Sequence, residues 1–206
     1  MKTLAYDLHL HSCLSPCGDN DMTPANIAGM AKIIGLDLIA LTDHNSCKNC
    51  PAVAIAAREY GLLFLPGMEL TTAEEVHVLC YFASLDAAMD FDRYVSDHLP
   101  DTPNKPMFFG DQLIYNEQDQ ISCTEQRLLI SATDLPFDAI YDLVNQYDGI
   151  MVPAHINKPT TSLLGNLVDC FRLMGVHEAD IDKLLSKEKT GQLIISKSKL
   201  DRKSVV

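Results

Sequence analysis

The chain is short of basic residues: 16 Lys and Arg stand against 28 Asp and Glu, a formal net charge of −12. That balance argues against an extended nucleic-acid surface, which relies on clustered Lys and Arg. It leaves room for a small anionic substrate if bound cations reverse the field locally. No apolar run approaches the ~18 residues of a membrane span, and no positive-then-apolar leader precedes the first predicted strand, so a soluble, cytoplasmic protein is expected. There is no phosphate-cradling glycine-rich loop and no G-x-S-x-G elbow, which removes the usual cradles and serine nucleophiles. Internal repeats and low-complexity segments are also missing.

The shortage of positive charge is uneven. Residues 1–170 hold 8 Lys/Arg and 23 Asp/Glu, whereas residues 171–206 hold 8 and 5. The chain is therefore read as a domain over 1–170 and a basic tail of different character over 171–206. Its 206 residues, 47% apolar, are enough for one ordinary core. Seven cysteines, an odd number, favour reduced thiols. Cys47-x-x-Cys50 has zinc or redox spacing, and Cys13 with Cys17 would be the other half of a four-cysteine site; small half-buried thiols are the plainer reading.

What is present is a strand–helix alternation. The stretch TLAYDLHLHSCLSPCGD opens with a strand that carries His9 and His11. Positions i and i+2 of a strand face one side, so both imidazoles point one way, toward a transition metal or simply toward solvent. Thr23-Pro24 starts a helix that Gly35 closes, with Ile27, Met30, Ala31 and Ile34 at helical spacing. Residues 37–42 form a second strand leading into Asp43-His44, and residues 51–60 a second helix. A third strand over 62–67 exits at Glu69, and a fourth over 76–82 contains His77. A helix over 86–99 follows, then a proline-rich excursion over 100–125 with a hairpin at Glu117–Gln120, expected to cross the mouth of the domain. A helix over 136–147, a buried strand over 150–155 ending in His155, and helices over 162–174 and 178–189 complete the order. This rhythm predicts a parallel α/β sheet or barrel, whose sites lie at the carboxyl ends of the strands. His9, His11, His44, Glu69 and His155 all fall at such ends, and a metal cluster is expected there.

Four motifs, His9-x-His11, Thr42-Asp43-His44, Pro66-Gly67-Met68-Glu69 and His155 in PAHINK, resemble those of the PHP (polymerase and histidinol phosphatase) family, in order, across residues 3–168. The resemblance implies a distorted (β/α)7 TIM-like barrel holding two or three divalent ions (Zn, Mn or Fe) in its mouth and cleaving phosphate esters. It implies His9, His11, His44, Glu69, His77 and His155 as metal ligands, with Glu69 bridging and Asp19 as the acidic loop ligand. Glu69, His155 and Asp43 are the candidate catalytic residues. Asp43 is open between ligand, helix cap and a carboxylate that orients an imidazole, and Lys158 between a substrate-phosphate contact and a solvated turn.

The family pattern closes with an Asp-x-His pair, which this chain lacks after His155, so the barrel is expected to be incomplete at its C-terminal end. The expected function is hydrolysis of a small phosphorylated metabolite or nucleotide, as a monoesterase or diesterase, by metal-activated water. The alternatives are a non-catalytic metal-binding or regulatory module of the same fold and a redox or zinc protein built on Cys47 and Cys50.

Overall fold

A computed structural model of the chain describes residues 4–155, 160–162 and 166. All of them belong to one compact unit, Met1–Asn166. Lys158, the proposed 171–206 tail and the helix expected over 178–189 lie outside the described residues, as does most of the helix expected over 162–174.

Strand β1 (Tyr6–Leu10) is followed by helix α1 (Pro24–Ile34), strand β2 (Leu38–Leu41), helix α2 (Cys50–Glu59) and strand β3 (Leu63–Thr71). Local chemistry explains this half. The Thr23 side chain accepts from the Asn26 N–H, Pro24 occupies the first helical turn, and Gly35 ends α1 at φ +85°, where a side chain would be strained. Helical connections of this length allow right-handed crossovers, and β1, β2 and β3 are parallel neighbours. Between Asp7 and Leu10 the register of β1 against β2 slips, a bulge at the residues that carry His9.

The second half departs from the expected all-parallel order. Strand β4 (His77–Phe82) pairs antiparallel with β3, Thr71 opposite His77. Only Thr72–Val76 connect the two, too short for a crossover but right for a hairpin, closed by the Glu75 N–H on the Thr72 carbonyl with Glu75 at φ +60°. Helix α3 (Leu85–His98), the single turn α4 (Pro106–Phe109), the hairpin β5 (Leu113–Tyr115) and β6 (Ile121–Thr124), and helix α5 (Phe137–Gln146) lead to β7 (Gly149–Pro153). β7 pairs antiparallel with β4, giving a sheet in the order β1-β2-β3-β4-β7. Four of the five strands therefore run one way. The sheet is not closed among the described residues, so the expected seven-stranded barrel is not seen there. β7 also alternates buried and exposed rather than being fully buried.

The core lies between this sheet and its helices, and Phe82, Phe91, Ile39, Leu41, Met68, Leu70 and Ile140 are completely or almost completely buried in it. The β5–β6 hairpin is present as predicted but in a different place. Its tip, Asn116–Asp119, lies beside α1 and α2: Asp119 accepts the Ala25 N–H, and the tip lines a cavity with Pro24, Ala52 and Ala56. No described helix is long and apolar enough to cross a membrane.

Candidate metal centre

Reversal of β4 puts its first residue at the end of the sheet where β3 finishes. His77, which the strand pattern places inside an element, thus comes to the same end as the four histidines that leave β1, β2 and β7. Five imidazoles converge on one carboxylate. Glu69 Oε2 lies 3.2 Å from His9 Nε2, 3.0 Å from His11 Nε2 and 3.5 Å from His44 Nδ1. Glu69 Oε1 lies 3.1 Å from His77 Nδ1 and 3.5 Å from His155 Nε2. Each carboxylate oxygen thus faces its own group of nitrogens. These residues, with Cys17 and Thr161, line a pocket of about 360 Å³.

The backbone makes the convergence rigid. His44 and Glu69 form a parallel bridge: the Glu69 N–H donates to the Asp43 carbonyl and the Asn45 N–H to the Glu69 carbonyl, both at 3.0 Å. Asn45, at φ +48°, accepts the Thr71 N–H on Oδ1 and donates to the carbonyls of Leu129 and Ser131. The strand end and the loops around it are clamped by one side chain.

Asp43 is fully buried. Its oxygens accept from the Ser12 N–H at 2.7 Å, the Ser12 hydroxyl at 2.6 Å and the Ser15 hydroxyl at 2.7 Å. Ser15 Oγ also accepts the His44 N–H and lies 3.0 Å from His11 Nδ1. Its one proton is given to Asp43, so at His11 the hydroxyl must accept, and His11 Nδ1 is the donor. The Nε2 atom of a neutral His11 then carries its lone pair toward Glu69, the state a metal ligand needs. Of the three roles open to Asp43, the geometry fits the orienting one, exerted on His11 through Ser15. The N-cap position of α2 is held instead by Asn49.

The electrostatics divide these groups. Burial opposes ionisation of Glu69, but hydrogen bonds from His11, His77 and His9 outweigh it and hold its carboxyl well below the usual range. Burial pushes His44 down to about 3, so this imidazole is neutral at any ordinary pH. For His11, burial is outweighed by hydrogen bonds with Cys17 and Glu69, which raise it to about 10 without metal. Burial pushes Asp43 upward against the hydrogen bonds that favour its charge.

The residues fit divalent ions. His9 Nε2 and His11 Nε2 lie 3.1 Å apart, close enough to share one ion. The buried His44 Nδ1 has no hydrogen-bond partner. Three groups offer donor atoms within 4.8 Å of one another: His9, His11 and Glu69; His44, Glu69 and His77; and His11, Cys17 and His44. The last grouping does not follow from sequence spacing, which pairs Cys17 with Cys13 and not with His11 and His44. Asp19 is exposed, accepts from the Asp21 N–H within its own turn, and is not among the residues lining the pocket.

The structure does not bring the four cysteines together, in keeping with the plainer reading of them as packed thiols. Cys47 and Cys50 are buried with their thiols on the Gly67 carbonyl at 3.2 and 3.6 Å, Cys13 lies toward the Leu113 carbonyl, and Cys17 stands apart in the pocket. Burial holds the Cys13 and Cys47 thiols protonated. No residue of the 100–125 excursion lines the pocket either.

A family model described as the PHP domain matches residues 7–199. A 5'-3' exoribonuclease of Haemophilus influenzae is 32% identical over 80 residues, 37% of this chain and 28% of the relative. The chain matches less than half the length of either of its two curated relatives. Among solved structures, a protein assigned as a metal-dependent phosphoesterase from Bifidobacterium adolescentis aligns with 93% of this chain and 86% of its own at TM-score 0.53 and 17% identity. The lesion-specific endonuclease from Pyrococcus furiosus aligns with 78% of this chain and 36% of its own at TM-score 0.53 and 22% identity. At such identities the two structures speak for the fold.

Proposed function

Because the chain belongs to the PHP domain family, we propose that it is a metal-dependent hydrolase of phosphate esters, acting on a small phosphorylated metabolite or a nucleotide. The family match and the phosphoesterase and endonuclease neighbours support phosphoester hydrolysis in general. The observation that carries the reading is Glu69, whose two oxygens face separate groups of imidazoles. A carboxylate so placed suits a bridge between two ions.

His9, His11, His44 and Glu69 Oε2 would hold one ion, and His77, His155 and Glu69 Oε1 would serve another. When bound, two or three divalent ions supply an activated water for in-line attack at phosphorus and neutralise the phosphoryl oxygens. The chain's own part is positional. Asp43 and Ser15 fix the His11 tautomer, burial keeps His44 neutral, and Glu69 stays ionised. Lys158, next in sequence after this cluster, is proposed to meet the substrate phosphate. The acidic chain favours a substrate that enters the pocket by its phosphate end rather than one spread over the surface, and the exoribonuclease relative makes nucleotides the first compounds to screen.

The test is hydrolysis of a panel of phosphomonoesters, dinucleotides and nucleotides by the full chain with Mn²⁺, Zn²⁺ or Fe²⁺. Turnover that disappears in Glu69→Ala is expected. A protein that takes up metal and hydrolyses none of them would instead support a non-catalytic metal-binding module, the reading favoured by the missing Asp-x-His after His155.

A further inference from the structure

We propose that Cys17 is a metal ligand, its thiolate joining the ion that His11 holds and turning the centre toward zinc or another thiophilic divalent ion over manganese or magnesium. This rests on the metal-dependent reading above and adds a donor of a different kind to it.

Three observations meet at this thiol. The Cys17 sulfur, a His11 nitrogen and a His44 nitrogen lie within 4.8 Å of one another. Independently, His44 is only 4% exposed and its Nδ1 is an unpartnered atom at the same pocket, where a buried polar group without a partner is costly. The His11 and His44 rings themselves stand 4.7 Å apart. Finally, the loop that carries Cys17 is tightly wound. The Ser15 N–H donates to the Ser12 carbonyl and the Gly18 N–H to the Ser15 carbonyl. A Cβ on Gly18 would stand 2.0 Å from the Ser12 carbonyl oxygen, so only glycine allows this path. Ser12 and Ser15 are in turn tied to buried Asp43. Cys17 is therefore held at the pocket by the same network that orients His11.

Chemistry selects the occupant. The His11 Nδ1 atom is committed to Ser15, which leaves Nε2 as its one ligand atom and places the sulfur on the ion that this nitrogen holds. On binding, the thiol proton passes to solvent and a sulfur–metal bond forms, with no change of oxidation state. Imidazole suits several transition ions, whereas thiolate discriminates in favour of soft and borderline ones such as Zn²⁺ and Co²⁺. The donor also matters by number. With no late Asp-x-His in the chain, the described donors around Glu69 are five imidazoles and its own two oxygens, and the thiolate adds one more.

The experiment is cobalt substitution of the full chain, read by absorption spectroscopy. Wild type is expected to show a sulfur-to-cobalt charge-transfer band in the near ultraviolet. Cys17→Ser should lose that band while visible cobalt absorption from the imidazole ligands persists. Zinc affinity should fall about tenfold or more in this variant, with manganese affinity changed by less than about twofold. Cys17→Asp, which offers a hard carboxylate oxygen, should bind manganese more tightly than Cys17→Ser and show no band. Cys17 is exposed, so both variants should keep the native far-ultraviolet circular dichroism. Cobalt bound without the band, or a band that survives Cys17→Ser, overturns the proposal and leaves the metal-dependent reading standing. A chain that takes up none of these ions overturns both.

Discussion

Two carboxylates are buried within a few residues of the pocket's histidines, and their surroundings give them opposite work. Glu69, at the mouth, is ringed by imidazoles and held firmly ionised. Asp43, beneath the Ser12–Gly18 loop, is surrounded by hydroxyl and N–H donors, and its burial raises the pKa. A carboxylate ringed by imidazoles is placed as a shared ligand for cations; one ringed by serine hydroxyls and a backbone N–H is a fastening. Residue type alone does not separate these roles, since both are acids at strand ends. The neighbours do.

The sharpest way to break the contrast is Glu69→Gln, which keeps the shape and removes the charge and one acceptor. Turnover should fall by about 10²–10³ or more, as when a principal electrostatic group is lost, and elemental analysis should find less metal per chain. If Glu69→Gln kept full metal content and rate, the bridging role would be wrong.

Asp43→Asn acts on the fastening. It leaves three buried donors competing for one remaining acceptor oxygen, so stability should drop by about 1–3 kcal/mol in denaturant titrations. Metal affinity should weaken by about 10–100-fold, because the His11 tautomer is no longer enforced. A variant destabilised with unchanged metal affinity would confine Asp43 to structure.

The contrast also has a pH signature. His11, raised to about 10 in the metal-free chain, is protonated at neutral pH and must lose that proton to bind an ion. His44, lowered to about 3, has none to lose. In Cys17→Ser, where no thiol proton contributes, metal uptake between about pH 7 and 9 should therefore release about one proton from His11, and apparent affinity should rise by up to about tenfold per pH unit. Calorimetry of zinc binding to this variant in buffers of different ionisation enthalpy measures this number directly, and a value near zero would contradict protonation of His11 in the metal-free chain. The smallest effect is expected at the exposed Asp19. Asp19→Asn should change metal affinity less than about twofold, and a larger loss in a metal titration would bring Asp19 into the ligand set.

The first half of the fold was readable because its signals are local. Thr23-Pro24 and Gly35 mark the ends of α1, and the strand exits carry His9, His11, His44 and Glu69 in view. The hairpin around Glu117–Gln120 was equally plain, though not its place beside α1 and α2, since nothing within those residues records their long-range contacts. The direction of β4 was not legible from its apolar run, which reads the same forward and backward. Only the five residues before it forbid a crossover. Cys17 was legible only in the wrong company: its neighbours are His11 and His44, set by the winding of a loop about Gly18, while sequence spacing grouped it with Cys13, Cys47 and Cys50. Asp43 stayed ambiguous until Ser12 and Ser15, unremarkable as letters, proved to be its donors.

The β3–β4 hairpin makes the centre a test of strand alignment. Thr71 sits opposite His77, and Glu69 opposite Leu79. Sliding β4 by one residue would turn His77 to the far face of the sheet and bring an apolar side chain toward Glu69. Chains misaligned in this way would lose a ligand and bind an ion less well, so metal present during folding would draw the population toward the correct pairing by mass action. The cluster would then serve as a proofreader of the fold as well as a place for chemistry.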